Sequence, residues 1–526
     1  MPPSTTPVIK TVGTSPGSPA QPRWTSTAVG TLASLAMAAA VLRFSYLGRK
    51  PFWFDECFSV EVARLSWRNL VRLLWRREAN MSLYYLMLRG WLHFGSSPVF
   101  VRSLSVIVSL ATLPAIFWLA RKLFDSRVAL IAVALITFNA YHIRYAQEAR
   151  SYSLFVLLAT LASGFFVAAF REPSSPNRRT YILASVLAAY AHLYALLMLA
   201  AHWLSLRGPR AQHGLRRAWI WIGLASLPLV IFAAKTGAGP IRWIQRPSLR
   251  DLLEFAEHIS GNAGLPLLLL YAAVCLIAII PPQKMMKIFG TEPDRAETDW
   301  DLWRLRFLLV WLFFPVTLTL LLSLARPLFL GRYFIFCLPA LVILAAAGLA
   351  RLRRPWLIGM TLAAMLLLSL QGAFSYYNHD FDLARDGSEA AANYVLDHAQ
   401  PGDVILFHIA ETRVPYEFFK SLRASPASSD LAAGPEIIYP RHGDQLDYRD
   451  FTGKPTGEFV RSLASHQSRI WLVLMSNASL GRPDATTLML DQILGESFPR
   501  VDCVQFPQVE VRVFSRSSSR NRRKAG

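Results

Sequence analysis

The sequence predicts a polytopic α-helical membrane protein with a C-terminal extracytoplasmic α/β domain. Three observations predict it. Of the 526 residues, 53% are hydrophobic and 17% are charged, against about 25% charged in soluble domains. Several apolar stretches approach the ~20 residues that cross a bilayer as a helix. From about residue 380 onward the composition turns to short β-like runs alternating with helical ones.

Residues 1–25 are rich in Pro, Ser, Thr and Gly and read as a disordered tail. They lack the basic start and cleavage pattern of a compact signal peptide, so the first apolar segment is expected to remain as an anchor. The membrane region, 26–375, holds apolar segments at 26–47, 99–120, 127–143, 151–170, 180–192, 193–206, 218–235, 265–281, 306–325, 335–350 and 356–373, about eleven spans. The stretch 180–206 is either one long tilted helix or two short ones broken near His192. Arg-rich connections at 121–127, 171–179, 207–217 and 351–354 share the cytoplasmic side only if 180–206 passes twice or re-enters. Two passes place 48–98, 144–150, 236–264, 326–334 and the C-terminal portion outside a cell membrane.

The net charge of +21 clusters beside apolar segments, which points to anionic lipid headgroups rather than nucleic acid. Cys57, Cys275, Cys337 and Cys503 have neither disulfide-framework nor zinc-site spacing. Cys57 and Cys503 are the only pair placed outside together. Residues 59–78 predict a basic surface helix in which Arg64, Arg68, Arg72 and Arg76 recur every fourth position. With Trp67 and Trp75 at headgroup level, it would lie in the interface. Membrane adhesion and attraction of a lipid phosphate are its two readings.

The C-terminal domain, 380–515, reads as a helix, a Pro-Gly turn and the strand VILF, then strands EIIYP, RIWLVLM, CVQFP and VEVRVF. Helical YEFFKSL and TTLMLDQIL lie between them. It has no glycine-rich phosphate loop, HExxH or GxSxG, so a covering or recognition role is expected. Residues 516–526 form a basic flexible tail.

The chemistry-bearing residues fall in the external loops. FWFDECFS sets Asp55 and Glu56 side by side just after the first span. Such acids near a bilayer are expensive unless paired or needed. HIRYAQEARSYS adds Arg144, Gln147, Glu148, Arg150 and Tyr152. The break near 192 adds His192 and Tyr194. The loop 236–264 adds Arg242, Arg246 and Arg250, and RPLFLGRYF adds Arg326, Arg332 and Tyr333. A carboxylate can take a proton from an attacking hydroxyl, and Arg can grip a phosphate with two hydrogen bonds at once. The set suits a reaction on a phosphorylated lipid, with Arg150, His192, Tyr194, Arg242, Arg246, Arg332 and Tyr333 as substrate or phosphate contacts.

FWFDE, NMSLYYLMLRGW, YAQEARSYSL, AHLY and GRYFIFCLPAL, in this order, resemble the GT-C membrane glycosyltransferases. The likeness is to the group of protein O-mannosyltransferases and lipid A aminoarabinose transferase, bacterial glycosyltransferase family 39-like, and covers roughly residues 26 to 420. The resemblance implies a GT-C-like fold and transfer of a sugar from a polyprenyl-phosphate donor to a lipid, glycan or protein acceptor on the outer face. It makes Asp55 the catalytic base, Glu56 the second acid of the pair, Glu148 the second-loop acid, and Arg332 with Tyr333 the late RY pair. Relatives often carry proline where this chain has Asn80, Met81 and Ser82.

Plainer readings stand beside these. Asp55 could cap a helix or pair with Arg49 or Lys50, and Glu56 could only orient it. Glu148 could pair with Arg144 four residues earlier. His192 could be satisfied at a helix break, and Arg332 could snorkel. No ligand spacing calls for a metal; a divalent cation near Asp55 and Glu56 stays open. A transporter or lipid flippase with a C-terminal binding domain is the alternative function, and a membrane scaffold the third. No clear internal repeat supports the former, and the acids sit at span ends.

Overall fold

A computed structural model describes residues 26–206, 209–236, 244–280, 295–352, 354–379, 387–409, 412–423, 434–439, 454–475 and 483–516. The N-terminal tail, Arg242 and nearly all of the basic C-terminal tail lie outside the described residues.

The first half runs α1 (Ser26–Phe44), α2 (Phe54–Arg64), α3 (Trp67–Leu73), α4 (Ser82–Trp91), α5 (Pro98–Leu123), α6 (Ser126–Phe138), α7 (Ala140–Ala146), α8 (Tyr152–Arg171), α9 (Ser175–Ala191) and α10 (Ala195–Ser205). It continues with α11 (Pro209–Thr236), α12 (Leu249–Ser260), α13 (Gly264–Ile279), α14 (Arg295–Ser323), a 3-10 segment Gly331–Cys337, α15 (Leu338–Ala350) and α16 (Pro355–Asn378). Among the described residues, six helical stretches are long and apolar enough to cross a membrane, and two bent pairs, α6–α7 and α12–α13, raise the number to eight. The sequence reading of about eleven counts the apolar helix α1 and both halves of 180–206, α9 and α10, as well. That stretch breaks at 192–194, and His192 leaves helical geometry with φ −163° and ψ 131°.

One helix break has a visible cause. The apolar run 127–143 bends by 62° at Asn139. The Asn139 carboxamide accepts a hydrogen bond from the His142 N–H at 2.9 Å and so starts a new helix. The buried Arg43 donates to the carbonyls of Ile136 and Thr137, at 3.2 and 3.1 Å, groups that the bend leaves without helical partners. Glycine permits the closest crossings. A Cβ on Gly348 would stand 1.8 Å from the Val274 carbonyl, and one on Gly372 would stand 2.2 Å from that of Gly261.

The surface helix expected over 59–78 is not continuous. Leu65 and Ser66 take ψ values of 149° and 151°, outside the α region, so α2 and α3 are separate helices and a π-helical turn follows at Leu74–Glu78. Arg64, Arg68, Arg72 and Arg76 are all exposed, but the interruption prevents one stripe. Much of α2 is instead buried, because α4 and the C-terminal elements pack against it.

Those elements are α17 (Ser388–His398), β1 (Val404–His408), α18 (Arg413–Arg423), β2 (Glu436–Tyr439), α19 (Gly457–His466), β3 (Arg469–Met475), α20 (Ala485–Ser497), β4 (Arg500–Phe506) and β5 (Val509–Ser515). The sheet order is β2-β1-β3-β5-β4. β1 runs parallel to β2 and β3, and β5 pairs antiparallel with β3 and β4. The expected strands are all present. Alternation along β1 assigns the two faces. Val404 and Leu406 pack with α19 and α20. Ile405 and Phe407 pack with α17 and α18 in a core continuous with the membrane helices. None of the four cysteines is in a disulfide, with Cys57 buried and Cys503 exposed, so the Cys57–Cys503 pair makes no bridge.

Candidate active site

The site is assembled around the first turn of α2. Trp53 is extended before the helix begins, so Phe54 and Asp55 occupy its N-terminal turn. There the helix dipole favours a carboxylate. Asp55 pairs with neither Arg49 nor Lys50, which bond to Asn378 and to the carbonyl of His379. Its Oδ2 stands 3.6 Å from Arg150 Nη2 and 4.0 Å from Arg332 Nη2. These separations mark ion pairs rather than hydrogen bonds. Asp55 and Arg332 side chains each keep 19% exposure and Arg150 keeps 12%, so the trio keeps some contact with solvent.

Each arginine is held from elsewhere. Arg150 Nη1 donates to the Asp55 carbonyl and to Ser59 Oγ at 3.4 and 3.5 Å, and Ser105 Oγ donates to the Arg150 carbonyl at 3.4 Å. Burial opposes the Arg150 charge, but Asp55 and nearby Tyr85, Tyr152 and Glu78 hold its pKa above the usual guanidinium value. Arg332 opens the 3-10 segment, with its guanidinium 6.0 Å from the rings of Trp53 and Tyr333. Tyr141 anchors that segment by donating to the Gly331 carbonyl at 2.8 Å.

Aromatic residues make one wall. Tyr333 stands 5.0 Å from His192 and 5.1 Å from Tyr194, centroid to centroid. His192 stacks on Phe155 at 4.9 Å and 8°. Tyr194 donates to the Leu328 carbonyl at 2.7 Å. The break at 192–194 therefore brings His192 and Tyr194 to the late RY segment. Asn80 fixes it by accepting from the Leu193 N–H at 2.8 Å, a role for one of the residues that replace the relatives' proline.

Glu56 faces the other way. It is fully buried and accepts from Arg102 Nε at 2.8 Å, from Arg102 Nη2 at 2.6 Å and from the Ala149 N–H at 2.9 Å. Arg102 also donates to the carbonyls of Leu47, Lys50 and Pro51. Glu56 thus ties the α1–α2 turn to α5 and to the Arg150 loop, and both its oxygens are engaged. That geometry matches the plainer reading of Glu56, a residue that pairs with an arginine and orients the Asp55 turn. Glu148 is 2% exposed, with Oε1 3.7 Å from Arg144 Nε, the plainer of its two readings. Among the described residues, no cluster of three or more His, Cys, Asp or Glu is placed to hold a metal. Arg246 is exposed before α12 and, among the described residues, joins no ion pair with this group.

Sequence reasoning passed over three participants. Arg102 lies in the fourth position of a span, where an arginine is rare enough to be a signal in itself. Glu78 accepts from Tyr85 OH at 3.1 Å. Burial pushes its carboxyl up, Arg150 opposes this and Asp55 adds to it. The Trp53 ring, two residues before Asp55 in sequence, lies beneath Arg332.

No known protein-family model matches the chain, and no curated protein sequence matches it. Solved structures do. ArnT from Cupriavidus metallidurans in the apo state matches with a TM-score of 0.59 at 11% identity, over 93% of this chain and 98% of that one. The same protein bound to undecaprenyl phosphate matches with a TM-score of 0.57 at 12% identity, over 93% and 99%. The Archaeoglobus fulgidus oligosaccharyltransferase AglB, with an inhibitory peptide and a dolichol-phosphate, matches at 0.47 and 10% identity, over 86% and 69%. The chain therefore has the ArnT fold from the membrane helices through the C-terminal sheet.

Proposed function

We propose that this protein is a membrane glycosyltransferase that moves a sugar from a polyprenyl-phosphate donor to an acceptor hydroxyl at the outer face of a cell membrane. The observation that carries the reading is Asp55 at a helix N-terminus, with Arg150 and Arg332 on one of its oxygens at 3.6 and 4.0 Å. The ArnT fold supports it, since one matching structure of that protein holds undecaprenyl phosphate.

The chemistry follows from the three side chains. Asp55 takes the proton of the acceptor hydroxyl as its oxygen attacks the anomeric carbon. The bond from that carbon to the phosphate oxygen breaks, and polyprenyl phosphate leaves with the electron pair. Arg150 and Arg332 hold the phosphate and stabilise the charge that develops on it. Attack opposite the leaving group inverts the anomeric centre. Tyr333 and Tyr194, both partly exposed, offer ring faces to the sugar, with the buried His192 packed behind them. Glu56 and Arg102 hold the turn in place, and Glu148 supports the loop through Arg144.

The test is reconstitution of the purified protein in proteoliposomes with labelled undecaprenyl-phosphate sugars and candidate acceptors. Label moving covalently to an acceptor supports the reading. Label crossing the bilayer with no covalent transfer makes the protein a flippase.

A further inference from the structure

The C-terminal domain grips α2 at both ends, with Asp55 between the grips. At the front, the Phe52 N–H donates to Glu389 Oε2 at 3.0 Å. Glu389 lies in the first turn of α17. The Phe52 ring stacks on Phe418 of α18, with centroids 4.9 Å apart and planes at 26°. At the rear, Arg64 Nη1 donates to Ser421 Oγ at 3.1 Å, and its guanidinium lies 5.7 Å from the same Phe418 ring. Phe52 is 1% exposed and is held from the membrane side as well. The Arg102 guanidinium lies 5.2 Å from its ring, and Arg102 is the partner of Glu56.

Phe52 is therefore a joint between two systems. Arg102 and Glu56 fix its membrane side, while Glu389 and Phe418 fix its outer side. A carboxylate accepting a backbone N–H is a charge-assisted bond, stronger than a neutral one. Placed three residues ahead of Asp55, it sets where α2 begins and how its first turn points. The Asp55 carboxylate stands 3.6 Å or more from its arginines. The direct ion pairs are thus too loose to fix it, and the backbone of α2 must do so.

From this joint we infer that Glu389 is a positioning residue for the transfer reaction. Acting through Phe52, it makes the reach of Asp55 depend on docking of the C-terminal domain. The inference rests on Asp55 being the base, as proposed above. Glu389 is half-buried and touches no reacting atom, so its effect falls on the geometry of the base and not on the grip of the donor phosphate.

The experiment uses the full chain in proteoliposomes and two readouts. Hydrogen exchange of the 50–64 segment reports docking without any reaction. Transfer from a labelled undecaprenyl-phosphate sugar gives kcat and KM. Glu389→Ala and Phe418→Ala should each speed exchange across the first turn of α2 by roughly tenfold, the scale of one lost hydrogen bond. They should lower kcat by a similar factor and leave the donor KM within about twofold. Glu389→Gln keeps an acceptor oxygen and should restore both readouts. If Glu389→Ala does not fold, Ser421→Ala loosens the rear grip alone and should show the same pattern in smaller measure. Faster exchange with unchanged kcat overturns the positioning role. Unchanged exchange in both Glu389→Ala and Phe418→Ala overturns the grip itself. Full activity of Asp55→Asn retires the base, and with it the role of Glu389, while the exchange pattern still reports docking.

Discussion

Glu56 and Arg102 form a fully buried pair joined by two hydrogen bonds, at 2.8 and 2.6 Å. The pair links the turn before α2 to the span α5, and the Ala149 N–H ties the Arg150 loop to the same carboxylate. Of the two adjacent acids, one faces the site and the other anchors it.

Breaking that anchor should cost stability more than chemistry. Removing one partner leaves the other charge buried and unpaired, a loss of about 3–5 kcal/mol. Arg102→Leu and Glu56→Ala should both lower the melting temperature of the detergent-solubilised protein strongly, while Asp55→Asn should not. A melting temperature for Arg102→Leu equal to wild type would contradict the anchoring role.

Arg332 is predicted to act on the donor. Arg332→Lys keeps the charge but loses the planar fork that fits phosphate. The KM for a polyprenyl-phosphate sugar should rise about tenfold or more, with a smaller change for acceptor. Steady-state kinetics over both substrates checks this, and an effect confined to acceptor would count against it.

Much of this was legible in the sequence, for physical reasons. Asp55 stood out because two acids at the end of an apolar run are costly. The strands were legible because short uninterrupted apolar runs, as in VILF and RIWLVLM, are the pattern of strands buried on both faces. Arg102 was hidden because one cation barely alters the apolar average of a span. The bend at Asn139 was hidden because a side-chain cap leaves the hydropathy of 127–143 intact. The break at Leu65–Ser66 was missed because the fourfold Arg spacing continues across it. At the break Arg89 of α4 donates to the carbonyls of Ala63 and Leu65, a contact between residues more than 20 positions apart that the local spacing does not encode.

Glu78 gives a pH signature. Its carboxyl titrates above the usual 4.5 because of burial, so the folded protein favours the neutral form. Its contribution to stability is present below pH 4.5 and is lost as the pH rises through the raised value. Glu78→Gln stays neutral and still accepts from Tyr85. Its melting temperature should match wild type at pH 4 or below and exceed it increasingly toward neutrality. A constant offset across pH would contradict the assignment.

Gly348 and Gly359 should respond oppositely to alanine. A Cβ on the first would stand 1.8 Å from the Val274 carbonyl oxygen, and one on the second would meet nothing within 4 Å. Gly348→Ala forces α13 and α15 apart and should cost about 1–3 kcal/mol. Gly359→Ala in α16 should be neutral or gain up to about 1 kcal/mol from helix propensity. Thermal unfolding of the two variants side by side reads the difference.

The most direct measurement of the central claim is the transfer rate of purified Asp55→Asn, beside wild type and Arg332→Lys, with a labelled undecaprenyl-phosphate sugar. A general base contributes about 10²–10⁴-fold. The substitution should lower kcat by that factor, while binding of undecaprenyl phosphate stays near wild type because Arg150 and Arg332 remain. A folded Asp55→Asn that transfers sugar at the wild-type rate would contradict the claim.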